Sequence, residues 1–375
     1  MNSHSLSIAE SLQRPPGLEF LPWLGNYLEK AGEKGNIERV EITKKRALQV
    51  QLTVGRNQKW LALGAGGPEE LIAAADDEIP LSCHLSGRAT DSALTVLAYR
   101  PARRLVILDT STNDGVVIKG YRKGKGIKAA GKFKLAAKAL FHRDFVTPGP
   151  VRFSQSHDSL TMPFLDGKRP HISPDRADDF KLLGQGILAL QQIEPDHAVL
   201  KEFTRQDELA VLRERARRMQ LVNCELPADW DRLSDRIEQA SEQVVKASPV
   251  PTHRDLHDGQ LLQTPDGLAL LDFDLMCLAD PELDPANFLA HLVLRGLQSH
   301  DKDSERGVQA CGKKFLDGLN AFEREGFWER LRFYQATSFC RLALVYSLRP
   351  KWTFTVPALV RLGHRCLDDL QRYVS

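Results

Sequence analysis

The sequence has no closely spaced cysteines. Its six lie at 83, 224, 277, 311, 340 and 366, so no metal knuckle or redox pair is spelled out. They are expected to be small buried hydrophobes in a reducing compartment. No run approaches the roughly 20 apolar residues of a membrane span, so no integral membrane segment is expected. Met1 to Pro16 is polar, ends in two prolines and lacks the apolar core of a signal peptide. The expected location is the cytoplasm. Charge of one sign is also missing in bulk: the formal net charge is +2, which gives the whole chain no strong pull toward nucleic acid. Internal repeats and low-complexity tracts are absent too.

What is present is an ordinary globular composition, 42% hydrophobic over 375 residues, enough for two domains or one two-lobed unit. Leu18 to Ala31 is expected to be a short helix. Val40–Ile42 and Leu48–Val54 look like strands, the second by its period-two alternation. Gly64 to Pro68 is expected to open a helix through Ala75, its glycines forming a turn rather than a dinucleotide fingerprint. Leu94–Tyr99 and Leu105–Leu108 form a hairpin pattern around Pro101-Ala-Arg-Arg104. Asp114-Gly115 then turns into a third strand, Val116–Tyr121. A lysine-rich helix is expected over 127–141, and further strands at Val151–Phe153 and Ser159–Phe164. From Ser173-Pro174, a helix start signal, the periodicity becomes helical. The reading is an α+β protein cut near 165. Residues 1–165 form an N-terminal lobe, with 1–90 a cap or extension and 91–165 a sheet lobe. Residues 166–375 form a helical lobe.

The densest polar segment is Pro251-Thr-His-Arg-Asp-Leu-His-Asp-Gly259. Leu261–Leu262 and Leu268–Leu271 flank the turn Pro265-Asp266-Gly267 as a tight hairpin. That hairpin returns Asp272 toward the loop holding Asp255 and Gln260. Two carboxylates and an amide oxygen at one point suit Mg²⁺. A carboxylate kept off the metal can deprotonate a hydroxyl. Phosphoryl transfer needs little beyond positioning and charge neutralisation, and the order H-R-D, amide, D-F-x agrees with the kinase template.

His253-x-Asp255-x-x-x-x-Gln260, Leu270-Leu-Asp-Phe-Asp274 and Asp280-Pro-x-x-Asp284 resemble the signature of the aminoglycoside phosphotransferase and choline kinase superfamily. The resemblance implies a two-lobed protein-kinase-like fold with an antiparallel-sheet N-lobe and a mainly helical C-lobe. It implies ATP and Mg²⁺ as cofactors and a small-molecule hydroxyl acceptor: a sugar, amino sugar, aminoglycoside or amino alcohol. Asp255 would be the catalytic base, with Gln260, Asp272 and Asp274 as metal ligands and Asp284 steadying the loop. The family pattern usually carries Asn where this chain has Gln260, and maltokinase-like sugar kinases are similar to it in carrying Gln.

On the nucleotide side, Lys119 in Val116-Val-Ile-Lys-Gly120 resembles the kinase strand lysine that holds the α/β-phosphates. Met162, Pro163 and Leu165 resemble the lobe-linking hinge, with the Pro163 C=O and Leu165 N–H facing adenine. Proline keeps its C=O, so it suits that role. Two local absences stand out. The turn at 101–104, in the place of the phosphate-covering loop, has no glycine to free its amides, and leaves Arg103 or Arg104 to contact phosphate. The helix after Lys119 offers no acid before Asp144 to pair with that lysine. Either an acid outside this helix substitutes, or phosphate alone holds Lys119.

Other readings compete. Gly126 to Phe133 nearly spells a P-loop, but Phe133 stands where a metal-binding hydroxyl is required. The eight basic residues from Lys119 to Lys138 read as a solvated helix face or an anion-attracting patch. His253, Asp255, His257 and Asp258 could be zinc ligands of a metal-dependent hydrolase, which leaves Asp272 and Asp284 unexplained. A non-catalytic nucleotide-binding protein is the nearer alternative. The sequence is silent on oligomeric state.

Overall fold

The computed structural model describes residues 19–43, 48–64, 66–86, 93–111, 114–140, 145–146, 149, 151–299, 302–320 and 322–374. In chain order the named elements begin with helix α1 (Phe20–Lys30) and strands β1 (Asn36–Ile42), β2 (Leu48–Val54), β3 (Asn57–Gly64) and β4 (Gly67–Leu71). Next come β5 (Leu94–Arg100), β6 (Arg104–Asp109), β7 (Val116–Tyr121), α2 (Gly126–Leu140), β8 (Phe145–Val146), β9 (Arg152–Ser154) and β10 (Ser159–Pro163). Helices α3 (Ala177–Gln191), α4 (Arg205–Leu221) and α5 (Trp230–Gln243) follow. Then come β11 (Val250–Thr252), β12 (Leu261–Thr264), β13 (Gly267–Leu270) and β14 (Cys277–Ala279). The chain closes with α6 (Leu283–Gln298), α7 (Lys302–Leu319), α8 (Phe327–Ser347) and α9 (Val356–Val374). This is the two-lobed kinase-like α+β arrangement, and no helix among the described residues is long and apolar enough to cross a membrane.

The chain divides into two compact units. One comprises Met1–Ile72, Arg205–Gln243 and Ala336–Gln371. Its sheet is the antiparallel meander β1-β2-β3-β4, separate from every other sheet. The strand Asn57–Gly64 was not foreseen, and the helix expected from Gly64 through Ala75 is instead β4 and a 3-10 turn at Ala73–Ala75. Gly64 pairs with Gly67 at the end of the β3–β4 hairpin. The pairing of Trp60 with Leu71 then outweighs the helical tendency of Glu69-Glu70-Leu71. Within this unit the Val40 N–H donates to the Leu348 C=O at 2.9 Å, and the Trp230 indole donates to the Cys340 C=O at 3.1 Å.

The other unit comprises Ala73–Thr204, Val244–Gln335 and Arg372–Ser375. Its main sheet has the order β5-β6-β7-β10-β9, antiparallel throughout. One face buries Leu105, Ile107 and Ile118 against Ile79 and Leu81. Gly120 makes this possible, because a Cβ there would lie 2.6 Å from the Leu81 Cβ. By the period of two, the opposite face carries Arg104 and Val106 beside Tyr121 and Lys119, which are their register partners. The helical part of the unit starts at a 3-10 turn, Pro174–Arg176, after extended Ser173. Ser173 makes no side-chain cap bond there. Of the cysteines, five are buried and Cys83 is exposed, so the buried-hydrophobe expectation fails at Cys83.

Candidate active site

Two strand pairs bring the 253–276 segment together. β11 pairs with β14, setting Thr252 opposite Cys277, and β12 pairs with β13, setting Leu261 opposite Leu270. The loop 253–260 and the segment 271–276 therefore leave the same framework side by side. Leu271 stitches them: its N–H donates to the Gln260 C=O at 2.8 Å, and its C=O accepts from His253 Nε2 at 2.8 Å. The other imidazole nitrogen of His253 accepts the Asp255 N–H at 3.3 Å. His253 is fully buried, and both its nitrogens serve the loop.

Helix α6 holds the same loop with one face. Asp284, in its first turn, accepts from the backbone N–H of His253 at 2.5 Å and of Arg254 at 2.6 Å. Asn287 donates to the Leu256 C=O at 2.9 Å. The His291 ring stacks on His257, with centroids 4.8 Å apart. Arg295 Nε lies 3.0 Å from both carboxylate oxygens of buried Asp258. The spacing 284, 287, 291, 295 is one helical stripe. Complete burial pushes the Asp284 carboxyl up from its ordinary value, against the pull of His253 and the two N–H donors. Arg254 adopts a left-handed φ of 67°, with its guanidinium 3.5 Å over the Phe203 ring. Asp255 is half-buried, and Gln260 Nε2 lies 3.5 Å from its Oδ2 and 3.4 Å from His257 Nε2.

The polar sheet face meets the two other carboxylates. Lys119 Nζ donates to Asp272 Oδ1 at 2.8 Å and Asp274 Oδ1 at 2.9 Å. Arg104 donates to Asp272 Oδ2 at 2.7 Å and Asp274 Oδ2 at 2.5 Å. The Tyr121 hydroxyl donates to Asp274 Oδ1 at 2.9 Å, and Lys132 Nζ on α2 donates to the Asp274 C=O at 2.8 Å. Asp272 holds a left-handed φ of 65°. The next residue, Phe273, is buried edge-on to Phe133, centroids 5.6 Å apart. Burial works to raise the Asp272 carboxyl, but Lys119 and Arg104 outweigh it and hold the group well below the usual carboxylate range. Burial also opposes the charge on Arg104, and Asp272 and Asp274 overcome it and raise the guanidinium above its ordinary value. Burial, reinforced by Asp274, drives the Tyr121 phenol far up. Burial pulls Lys132 down.

All four carboxylate oxygens of Asp272 and Asp274 thus face a cation, the donor chemistry that a hard divalent ion accepts. The residues present fit Mg²⁺ at this position. Zinc chemistry at the loop fits less well. His257, Asp258 and His291 do place ligand-type atoms within 4.8 Å of one another. Yet Arg295 holds Asp258, with Arg169 at 3.5 Å, and His257 Nδ1 accepts the Gly259 N–H at 2.9 Å.

Of the residues singled out in the sequence, Lys119, Asp272 and Asp274 converge, and Asp255 and Gln260 share the adjacent loop. An acid outside α2 does take the role of partner to Lys119, and it is the aspartate pair itself. Asp144 lies outside the described residues. Met162 and Pro163 pair with Val117 and Val116 on β7, while β9 pairs only with Ser159–Thr161. Phe164 N–H bonds to the Gly115 C=O at 3.3 Å, and Leu165 is half-buried just beyond. The glycine-rich stretch 126–133 is helical. Tyr121 and Lys132 escaped notice. The period of two, which sets residue 121 beside 119, was the signal for the first. Lys132 was only one basic residue among eight, and it is half-buried where Lys128, Lys134 and Lys138 are exposed.

Solved structures share this fold. The amicoumacin kinase in complex with AMP-PNP, Ca²⁺ and Ami aligns with a TM-score of 0.56 and 13% identity, covering 79% of this chain and 95% of that one. A choline/ethanolamine kinase family protein from Mesorhizobium loti aligns with a TM-score of 0.51 and 14% identity, covering 76% and 92%. At these identities the likeness is one of fold. No curated protein sequence matches the chain. The sequence pattern of the phosphotransferase enzyme family, however, matches residues 125–313, a span that runs from helix α2 through the loop of Asp255, the pair Asp272 and Asp274, and the stripe on α6. With half of its length so matched and its charged residues gathered as described, the chain belongs to the phosphotransferase enzyme family.

Proposed function

We propose that the protein transfers the γ-phosphoryl group of ATP, with Mg²⁺, to a hydroxyl of a small polar metabolite. The observation that carries this reading is the joining of two parts through Leu271. One is the Asp255 loop and the other is the Lys119–Asp272–Asp274 cluster. In this reading the acceptor hydroxyl gives its proton to the Asp255 carboxylate as its oxygen bonds to phosphorus, and the bridging oxygen leaves with ADP. Lys119 holds the α/β-phosphates. Pro163 C=O and Leu165 N–H take the adenine edge, with Met162 against the ring. Gln260, Asp272 and Asp274 would hold Mg²⁺, whose chemistry is to neutralise charge on the transferring phosphate. The amide nitrogen of Gln260 faces Asp255, which leaves its oxygen for a metal. The AMP-PNP in the amicoumacin kinase structure supports an adenine nucleotide. Gln260 favours a sugar among the candidate acceptors, in the manner of maltokinase-like enzymes. The lobe boundary near 165 and a cytoplasmic location belong to the same proposal.

The test is ATP consumption against a panel of sugars, aminoglycosides and amino alcohols. With the acceptor found, Asp255→Asn is expected to lower kcat by about 10²- to 10⁴-fold with an unchanged melting temperature. Full activity in that variant would remove Asp255 as base. Nucleotide binding without transfer to any acceptor would instead identify a non-catalytic nucleotide-binding protein.

A further inference from the structure

The hairpin turn between β5 and β6 has no backbone amide to spare for a phosphate. Pro101 has no N–H. The Ala102 N–H donates to Asp76 Oδ2 at 2.7 Å, and the Arg103 N–H donates to the Arg100 C=O at 3.0 Å. Asp76 Oδ2 also accepts from the Tyr99 hydroxyl at 2.9 Å, so the turn is pinned from below. Ala102 sits at φ 55°, the conformation that glycine supplies without strain. Charge on a nucleotide's phosphates must therefore be met by side chains at this end of the sheet.

Arg104 is placed to meet it. It is the first residue of β6 and shares the polar sheet face with Tyr121 and Lys119. Its two terminal nitrogens hold one oxygen of each aspartate, Asp272 Oδ2 and Asp274 Oδ2, while Lys119 holds Oδ1 of both. A divalent cation needs these same oxygens. Arg104 and the metal are thus competitors for one pair of atoms. A guanidinium displaced from carboxylates keeps a planar fork of donors that matches phosphate equally well.

Building on the phosphotransfer reading, we propose that Arg104 is an exchangeable counter-ion. It neutralises Asp272 and Asp274 until a divalent cation takes their oxygens, then turns to the phosphates of the nucleotide in place of backbone amides. It acts as a substrate-binding residue, and it also sets the threshold for metal entry. The exchange keeps every charge in the cluster paired in both arrangements, which a half-buried site requires.

The test is to measure two affinities in Arg104→Gln and in the wild type: Mn²⁺ alone, by paramagnetic resonance or calorimetry, and Mg·AMP-PNP. Loss of the competitor is expected to tighten Mn²⁺ binding by about tenfold. Loss of the fork is expected to weaken Mg·AMP-PNP by about tenfold or more. Opposite signs are the signature, because a merely structural role moves both affinities the same way. Arg104→Lys, which keeps the charge without the fork, is expected to weaken Mg·AMP-PNP severalfold with Mn²⁺ binding no weaker than in the wild type. It carries the test if the glutamine variant fails to fold. Parallel losses of both affinities, or unchanged Mg·AMP-PNP binding, would overturn the proposal. A wild-type protein that binds no nucleotide would overturn the phosphotransfer reading itself, a separate result.

Discussion

The loop 253–260 and the polar sheet face of β6 and β7 flank the same aspartates, yet they are held by opposite means. In the loop, polar groups are fixed by partners with little freedom: the backbone N–H groups of His253 and Arg254 on Asp284, and the His253 ring on Leu271. On the sheet face, Arg104 and Lys119 reach the aspartates on long side chains, and Lys132 reaches the Asp274 C=O from α2. A loop held this way would keep the proposed base, Asp255, within the tolerance that proton transfer demands. Long cationic side chains can change partners as charge arrives. The same segment thus separates geometry, set by the backbone, from charge balance, set by side chains.

The comparison breaks most sharply at Asp284. Asp284→Ala leaves the buried His253 N–H and the part-buried Arg254 N–H without their acceptor and is expected to cost about 3 kcal/mol of stability, read as a lower urea midpoint. This loss should be insensitive to salt, since the group is buried and the contacts are short. A cost below about 1 kcal/mol would mean the loop is held elsewhere.

On the sheet side the expected effect is one of pH. The Asp272 carboxyl is held below its unfolded value, by Lys119 and Arg104 against the opposing effect of burial. Its contribution is therefore fully present above the ordinary aspartate value of about 4 and is lost as pH falls below it. Asp272→Asn is expected to flatten the acid limb of the stability curve relative to the wild type. An identical limb in both proteins would show that the sheet-side cations do not stabilise the folded state through this residue.

The smallest effect belongs to the turn. Ala102→Gly relieves a positive φ of 55° and is expected to raise stability by less than about 1 kcal/mol. Mg·AMP-PNP affinity should hold, because the Asp76 bond to the residue 102 N–H survives the change. A gain in nucleotide affinity would show that the turn's amides reach phosphate after all.

How much of this was legible depended on distance along the chain. The hairpin between Leu261 and Leu270, the return of Asp272 toward the Asp255 loop and the strand of Lys119 could all be read from local alternation and turn residues. The strand at Gly67–Leu71 was misread as helix, because Glu69-Glu70-Leu71 is locally a fair helix former and only pairing with β3 overrides it. Helix α9 was not assigned. Arg104 was a candidate phosphate ligand without a partner in view, and its partner, Asp272, lies 168 residues away. Lys132 was indistinguishable from its neighbours, since all share one basic stretch of helix.

The sequence by itself determined the order of the 253–274 segment, its carboxylates and the missing helix acid, because spacing within a loop and a hairpin fixes which side chains meet. Only the tertiary structure decided what replaces that acid. Whether Lys119 pairs with a helix residue or with Asp272 and Asp274, and whether Arg104 joins them, depends on the approach of a sheet face to a strand end far along the chain. Local periodicity carries no record of that approach.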